Sequence, residues 1–136
     1  MINKVIKAAV KSLKIKMPTT NIYPSYDQSV ELGQSQVVVG GSSEVAFASG
    51  DGKPLAWRVS LTLLAVTYQA DDRDGDIRTG IADNCFDWLM ETTSLTMAGY
   101  KLDAITNVTQ LDIVTYGDNF LALPATATLF VSIDNN

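Results

Sequence analysis

The spacing of apolar and polar residues predicts two amphipathic helices separated and followed by strands. Near the start of the chain, apolar residues recur at the i, i+3, i+4, i+7 positions that share one face of a helix. These residues are Ile2, Val5, Ile6, Ala9, Val10 and Leu13. Lys4, Lys7, Lys11 and Lys14 repeat with the same spacing on the other face. Because a helix rarely continues through proline, this first helix is predicted to stop at Pro18.

The next part of the chain predicts two extended segments and an arm. Residues 19–33 form a connector in which Ile22, Tyr23, Pro24 and Tyr26 suit a short edge segment, since proline is tolerated at a sheet edge. A valine run at residues 36–40 predicts a strand. Residues 42–54 are rich in glycine, serine and alanine, and we expect either a strand-like arm or a long hairpin loop with a turn at residues 50–52.

Residues 55–69 are the longest apolar stretch and predict a central strand. One face carries Trp57, Val59, Leu61, Leu63 and Ala65. An acidic turn at residues 70–76 follows, and residues 76–92 show helical spacing of apolar residues, including Cys85 and Trp88. Asp74 or Asp76 is the expected N-cap of this second helix.

The remaining residues predict two long strands joined by a hairpin. Residues 100–115 read as one strand with an irregularity near Thr106 and Asn107. A YGDN turn at residues 116–119 then leads into a last strand at 121–133. The predicted fold class is therefore α+β, in a single domain of residues 1–136: a mixed, mostly antiparallel sheet, two main helices packed on one face, and a long hairpin-like arm.

Charge divides the chain into two unequal parts. The first 16 residues hold five of the seven lysines and no acid, whereas the other 120 carry five basic and 15 acidic side chains. The helix is thus cationic and the body acidic, which argues against a nucleic-acid-binding function for the whole chain. No apolar run approaches the roughly 18 residues of a membrane span, so no membrane association is expected.

No residue pattern predicts catalysis, a metal site or a cofactor. Histidine, the commonest general base at neutral pH, is absent. Cys85 lies on the apolar stripe of the second helix and is interpreted as a small buried hydrophobe. Asp71, Asp72, Asp74 and Asp76 resemble a calcium loop only superficially, because Ile77 occupies the glycine position and Asp83 the final glutamate position.

The lysine stripe of the first helix allows three main interpretations. It can be a solvated face, it can meet an acidic surface of its own chain or of a neighbouring copy, or it can contact DNA phosphates. A membrane-surface helix is the weakest interpretation, because the apolar face lacks tryptophan and phenylalanine.

The order of elements, with several short phrases, resembles the tail-terminator (tail-completion) proteins of long-tailed bacteriophages. The phrases are IYPSY at residues 22–26, Trp88-Leu89 on the second helix, and SLTMAGYKLDAITNV at residues 94–108. The stretch from Leu95 to Leu102 is the closest match. The similarity of order covers nearly the whole chain.

This resemblance implies a structural protein with no catalytic residues. Such subunits close into a ring, typically of six copies, that caps the tail tube and meets the neck connector on its other side. DNA passes through the lumen without specific binding, and the sheath is a further potential contact. The chain would be assembled in the host cytoplasm and reside in the tail or neck of the virion. The arm, with Val45 and Phe47, and the stripe of Lys4, Lys7, Lys11 and Lys14 are the expected interfaces with the tube or with neighbouring copies.

Other functions are compatible with the same residues. The chain can be another neck or connector component, or an unrelated α+β module that binds a small molecule or a peptide. An enzyme that uses carboxylates is the least favoured alternative, because no nucleophile motif and no histidine support it.

Overall fold

The elements follow the predicted order of helix, strands, helix and strands. The structure is a computed structural model that describes residues 1–27 and 35–135. Its elements are α1 (Ile2–Lys16), β1 (Asn21–Pro24), β2 (Ser35–Ala48), β3 (Pro54–Tyr68), a short 3-10 helix (Gln69–Asp71), α2 (Asp76–Glu91), β4 (Tyr100–Gln110), β5 (Val114–Thr115) and β6 (Phe120–Ile133). Part of the predicted connector 19–33 lies outside the described residues.

A mixed sheet forms one layer of the fold, and the two helices form the other. The sheet order is β1-β2-β3-β6-β4, and β5 also pairs with β6. The β1–β2 pair is parallel, whereas the other pairs are antiparallel. The predicted α+β class and the edge position of the 22–24 segment are therefore confirmed.

One large hydrophobic core lies between the helices and the sheet. It combines the apolar stripe of α1 and that of α2 with one face of β2, β3 and β6. On β3 the prediction of this face is confirmed: Val59, Leu61, Leu63 and Ala65 are fully buried and Trp57 packs at the edge of the core. A smaller cluster of Val38, Val66 and Ala122 lies on the opposite side of the sheet.

The predicted strand at residues 100–115 is interrupted in the structure. β4 ends at Gln110, after register shifts between Leu102 and Ala104 and between Thr106 and Thr109, with Asn107 at a φ of 54°. The carbonyl oxygen of Pro124 on β6 accepts a hydrogen bond from the backbone N–H of Leu111 at 2.9 Å. The edge of β6 at Pro124 that carries this carbonyl therefore faces β4 and β5. Because proline has no N–H to donate there, the ladder breaks opposite it and resumes as β5.

The predicted N-cap of α2 is wrong in its residue. Gly75, with a φ of 78°, occupies the N-cap position, and no side chain of an N-cap residue bonds the helix start. Instead the carboxylate of Asp72 accepts hydrogen bonds from the backbone N–H groups of Ile77 and Arg78 at 3.0 and 2.9 Å. Asp72, four positions before the helix, thus satisfies two of the free N–H groups, and the Asp74 carboxylate accepts a hydrogen bond from the Asp76 N–H at 3.3 Å.

Candidate functional site

The segment at residues 42–54 is a β-hairpin that extends the sheet beyond the part covered by the helices. We call residues 41–58 the hairpin arm. β2 is buried from Gln36 to Val39, and every residue from Gly41 to Ala48 is exposed. The arm nevertheless keeps its antiparallel ladder, which runs from Gly41 opposite Leu61 to Ala48 opposite Pro54. Of the two alternatives, the strand-like arm is therefore the correct one.

Glycine permits the close strand approach where the arm leaves the core. A Cβ atom built on Gly41 would lie 2.5 Å from the carbonyl oxygen of Ser60, which no side chain could accept without movement of the backbone. A residue with a side chain at this point would push β2 away from β3. Gly41 therefore fixes the direction in which the hairpin arm departs.

The tip of the hairpin arm is closed by a hydrogen-bonded turn. Ser49 N–H donates to the carbonyl of Lys53 at 2.8 Å, and Gly52 N–H donates to the carbonyl of Ser49 at 2.9 Å. The Ser49 hydroxyl donates to the carboxylate of Asp51. This bond, with the Lys53 backbone N–H, lowers the pKa of Asp51. The turn therefore has a defined conformation although it touches no core residue.

Two large apolar side chains are exposed on the hairpin arm. Val45 is 49% exposed and Phe47 is 62% exposed. A bulge separates them, so that Val45 lies opposite Trp57 and Phe47 lies opposite Ala56. Since neither side chain is needed to fill the core, the hairpin arm offers an apolar contact surface to another molecule.

A cross-strand ion pair on the hairpin arm adds polarity but little stability. Arg58 Nε donates to Glu44 Oε1 at 2.9 Å, and both side chains are largely exposed. Exposed pairs of this kind contribute about 0–1 kcal/mol. The pair contributes a charged element beside the apolar residues, as is typical of the rim of a protein interface.

The structure separates the five lysines of α1 into three groups. Lys4 Nζ donates to the carbonyl of Ala98 at 3.2 Å and lies 5.1 Å from the centre of the Tyr100 ring. Lys16 Nζ pairs with Glu91 Oε2 at 3.1 Å. Lys7, Lys11 and Lys14 line an open groove of about 240 Å³. The predicted stripe is therefore not a single surface, because Lys4 packs against the loop before β4 and against Tyr100.

The groove has a basic rim and a partly apolar floor. Its lining residues are Lys7, Val10, Lys11, Lys14, Pro24 and Tyr26, and we call this surface the lysine groove. Tyr26 is 43% exposed, and the sequence predicts Tyr26 and Pro24 only as part of an edge segment. Their contribution depends on the parallel β1–β2 pairing beneath α1, which residue spacing does not reveal. No residue of the hairpin arm lines the groove, and neither does Lys4, so the predicted site residues occupy the hairpin arm, the lysine groove and, for Lys4, the surface beside Tyr100.

The acidic turn before α2 has a structural role. Asp72 is 3% exposed and, besides its two backbone bonds, accepts a hydrogen bond from the Thr67 hydroxyl at 2.9 Å. Arg78 Nη1 lies 3.4 Å from Asp72 Oδ2. Burial by itself raises the pKa of this carboxyl, but the donated hydrogen bonds and the Arg78 charge outweigh burial, and the net pKa is lowered. The negative charge of Asp72 therefore stabilises the start of α2 and its own pairing with Arg78.

Three observations bear on other functions. Cys85 is fully buried, as predicted, and burial raises its thiol pKa to about 12, so the nucleophilic thiolate is scarce at neutral pH. Within residues 1–27 and 35–135, no group of three or more acidic or cysteine side chains is arranged to hold a metal ion. No helix in this part of the chain is long and apolar enough to cross a membrane.

Comparison with known proteins identifies the fold and no family. No family model matches the sequence, and no curated protein matches it. A solved structure of a protein whose name states no function is similar to this chain with a TM-score of 0.63, covering 98% of this chain and 93% of that one. Sequence identity is 12%, so the similarity extends to the fold alone.

Proposed function

We propose that this chain is a structural virion protein: a ring-forming subunit that terminates the tail tube of a long-tailed bacteriophage and joins it to the neck connector. The hairpin arm carries the proposal. It is a preformed, hydrogen-bonded element whose apolar residues Val45 and Phe47 are exposed. An element of this kind is suited to docking on a protein surface, because little conformational entropy is lost when it binds.

The edge of the hairpin arm supports a role in assembly. β1 pairs with β2 only from Gln36 to Val39, and no other described strand lies beside residues 41–48 on that side. A strand edge with unpaired backbone groups can accept a strand from another chain. The arm therefore combines two means of contact, apolar side chains and an open strand edge.

A ring requires two different surfaces on each subunit. When one patch of a subunit binds a different patch of the next, the assembly closes into a ring if the rotation permits. The hairpin arm on one side and the helix layer on another are such dissimilar surfaces. We infer a homo-oligomeric ring, with six copies as the expected number, in contact with the tube protein and the neck connector, and with the sheath where a sheath exists.

The charge of the chain suits passage of DNA through such a ring. The net charge is −5, and tight DNA binding would need many lysine or arginine contacts to phosphates. A ring of these subunits would let DNA pass without specific binding. The expected location is the tail or neck of the virion, after assembly in the host cytoplasm.

Substitution of the two exposed apolar residues of the hairpin arm tests this function. Tail tubes are assembled from the tube protein of the same virus and incubated with wild-type chain or with the Val45→Ser/Phe47→Ser variant. Electron microscopy then measures the fraction of tube ends that carry a ring. We expect capping by wild type and its loss in the variant, without loss of folding.

Ile113→Ser is the matched control, because Ile113 is 46% exposed but lies between β4 and β5, away from the hairpin arm. We expect this variant to cap tube ends as wild type does. Deletion of residues 43–51 should act like the double substitution. Capping that persists in the double variant and in the deletion would show that the hairpin arm is not the tube-binding element.

A further inference from the structure

The three lysines of the lysine groove have no partner of opposite charge within the described part of their own chain. The ion pairs among residues 1–27 and 35–135 are Lys16 with Glu91, Arg58 with Glu44 and Arg78 with Asp72. Lys7, Lys11 and Lys14 are spaced i, i+4, i+7, so they lie along one face of α1. With a rise of about 1.5 Å per residue, they span roughly 10 Å of the helix.

A complementary set of charges lies on the exposed face of α2. Asp76, Asp83 and Asp87 are exposed, and their spacing of seven and four residues places them along one face of the helix. We call these residues the acidic stripe. None of them forms an ion pair within the described residues. The stripe spans roughly 16 Å, which is long enough to cover the lysine groove.

A glycine in the acidic stripe allows another helix to approach closely. Gly80 lies four residues after Asp76 in the middle of α2, where glycine is the poorest helix former apart from proline. A Cβ atom at Gly80 would meet no described residue within 4 Å, so packing within residues 1–27 and 35–135 does not require glycine there. Small residues at such positions let the backbone of α2 come close to a partner.

Exposed apolar side chains accompany both sets of charges. Met90, three residues after Asp87, is 62% exposed. Ile15, four residues after Lys11, is 79% exposed and lines a neighbouring recess beside Ser94 and Leu95. The floor of the lysine groove is itself apolar where Val10, Pro24 and Tyr26 line it. Burial of these groups would supply the hydrophobic contribution that exposed ion pairs alone do not give.

We propose that α2 of one copy docks on the lysine groove of a second copy. The carboxylates of the acidic stripe then face the ammonium groups of Lys7, Lys11 and Lys14, and Met90 contacts the apolar floor. The interface rests on the proposed function, because it is one of the contacts between neighbouring copies in the ring. A second copy is the occupant that supplies opposite charge, similar length and an exposed apolar residue together.

Charge reversal on each side, separately and together, tests the interface. The variants are Lys7→Glu/Lys11→Glu and Asp83→Lys/Asp87→Lys, and self-association of each full chain is measured by sedimentation velocity over a range of salt concentrations. Because several weak ion pairs are replaced by repulsions, each variant should raise the dissociation constant about tenfold or more. An equimolar mixture of the two variants, and the chain carrying all four substitutions, should associate as wild type does.

Asp103→Lys/Asp112→Lys is the matched control, since it changes net charge equally at exposed residues outside the helices. It should change the dissociation constant by no more than about twofold. Circular dichroism establishes that each variant is folded. If a reversed variant does not fold, Lys7→Gln/Lys11→Gln and Asp83→Asn/Asp87→Asn replace it, with weaker loss expected in the same direction.

The proposal would be overturned if a charge-reversed variant self-associated with the same dissociation constant as wild type. It would also be overturned if mixing the two variants did not restore association. Binding of duplex DNA or of acidic phospholipid vesicles through Lys7 and Lys11 by a chain that does not self-associate would overturn it as well. If the charge-reversed variants still form rings that cap tubes, this interface is wrong and the proposed function stands. Restored association in a chain that never caps tubes supports the interface and contradicts the proposed function.

Discussion

The indole N–H of Trp88 donates a hydrogen bond to the hydroxyl oxygen of Ser12 at 2.9 Å, and this bond joins α2 to α1. Trp88 is otherwise buried in the main core. At the ends of the same two helices, Lys16 pairs with Glu91. These contacts hold the two helices side by side on the sheet, and thereby fix the position of the lysine groove relative to the acidic stripe.

Ser12→Ala should destabilise the fold by about 1 kcal/mol, because the buried indole N–H loses its acceptor. The measurement is the free energy of unfolding in urea. Ser94→Ala, at an exposed serine, is the control and should change the free energy of unfolding by less than about 0.5 kcal/mol. Equal stability of Ser12→Ala and wild type would show that this hydrogen bond contributes nothing to joining the helices.

Gly41→Ala should destabilise the fold by about 1–3 kcal/mol, because the new Cβ atom would lie 2.5 Å from the carbonyl oxygen of Ser60. Gly50→Ala is the matched control, since a Cβ atom there meets nothing within 4 Å, and its effect should stay within about 1 kcal/mol. Thermal unfolding of both variants gives the comparison. If both have the same melting temperature as wild type, Gly41 does not set the course of the hairpin arm.

Gly80→Ala should stabilise the isolated subunit by about 1 kcal/mol, because alanine is the better helix former and the new methyl group meets no neighbour. Gly99→Ala should have the opposite effect, since Gly99 has a φ of 82° that alanine adopts only with strain. The check is the urea midpoint of each variant under conditions where the chain is monomeric. A lower midpoint for Gly80→Ala would mean that the glycine serves the fold of the subunit itself.

Asp72→Asn should cost about 3 kcal/mol at pH 7, because Arg78 then remains buried without its counter-charge. The cost should decrease under acid conditions. The pKa of Asp72 is lower in the folded chain than its ordinary value of 3.8, so its charge stabilises the fold above pH 3.8, and that contribution is lost as the pH falls through the folded pKa. Urea unfolding of both chains at pH 7 and near pH 3 measures the difference, and a cost that does not depend on pH would contradict this account.

The sequence predicts the elements whose apolar residues follow one regular period. α1 and α2 lie within a residue or two of their predicted bounds, because a stripe of buried residues defines each of them. The central strand is equally well predicted, since the core-facing residues from Val59 to Ala65 alternate without interruption. The sequence predicts the hairpin arm only as one of two alternatives, because Gly40, Gly41 and the serines that follow leave no buried face to mark a strand.

Contacts between distant residues were not predictable from periodicity. The break between β4 and β5 depends on Pro124, which becomes the neighbour of Leu111 only in the folded sheet. Likewise Asp72 bonds the start of α2 because the 3-10 helix and the turn bring it back to the helix axis. Lys4 separates from the other lysines because the loop before β4 presents a carbonyl group to it. In each case a side chain or a backbone group from another element decides the outcome.

The state of tail-tube ends after incubation with the purified wild-type chain tests the proposed function. We expect ring-shaped particles on the ends of tubes assembled from the tube protein of the same virus, seen by electron microscopy. We also expect the capped tubes to stop growing when more tube protein is added. A chain that stays monomeric at every concentration and leaves the tube ends bare and growing would contradict the proposed function.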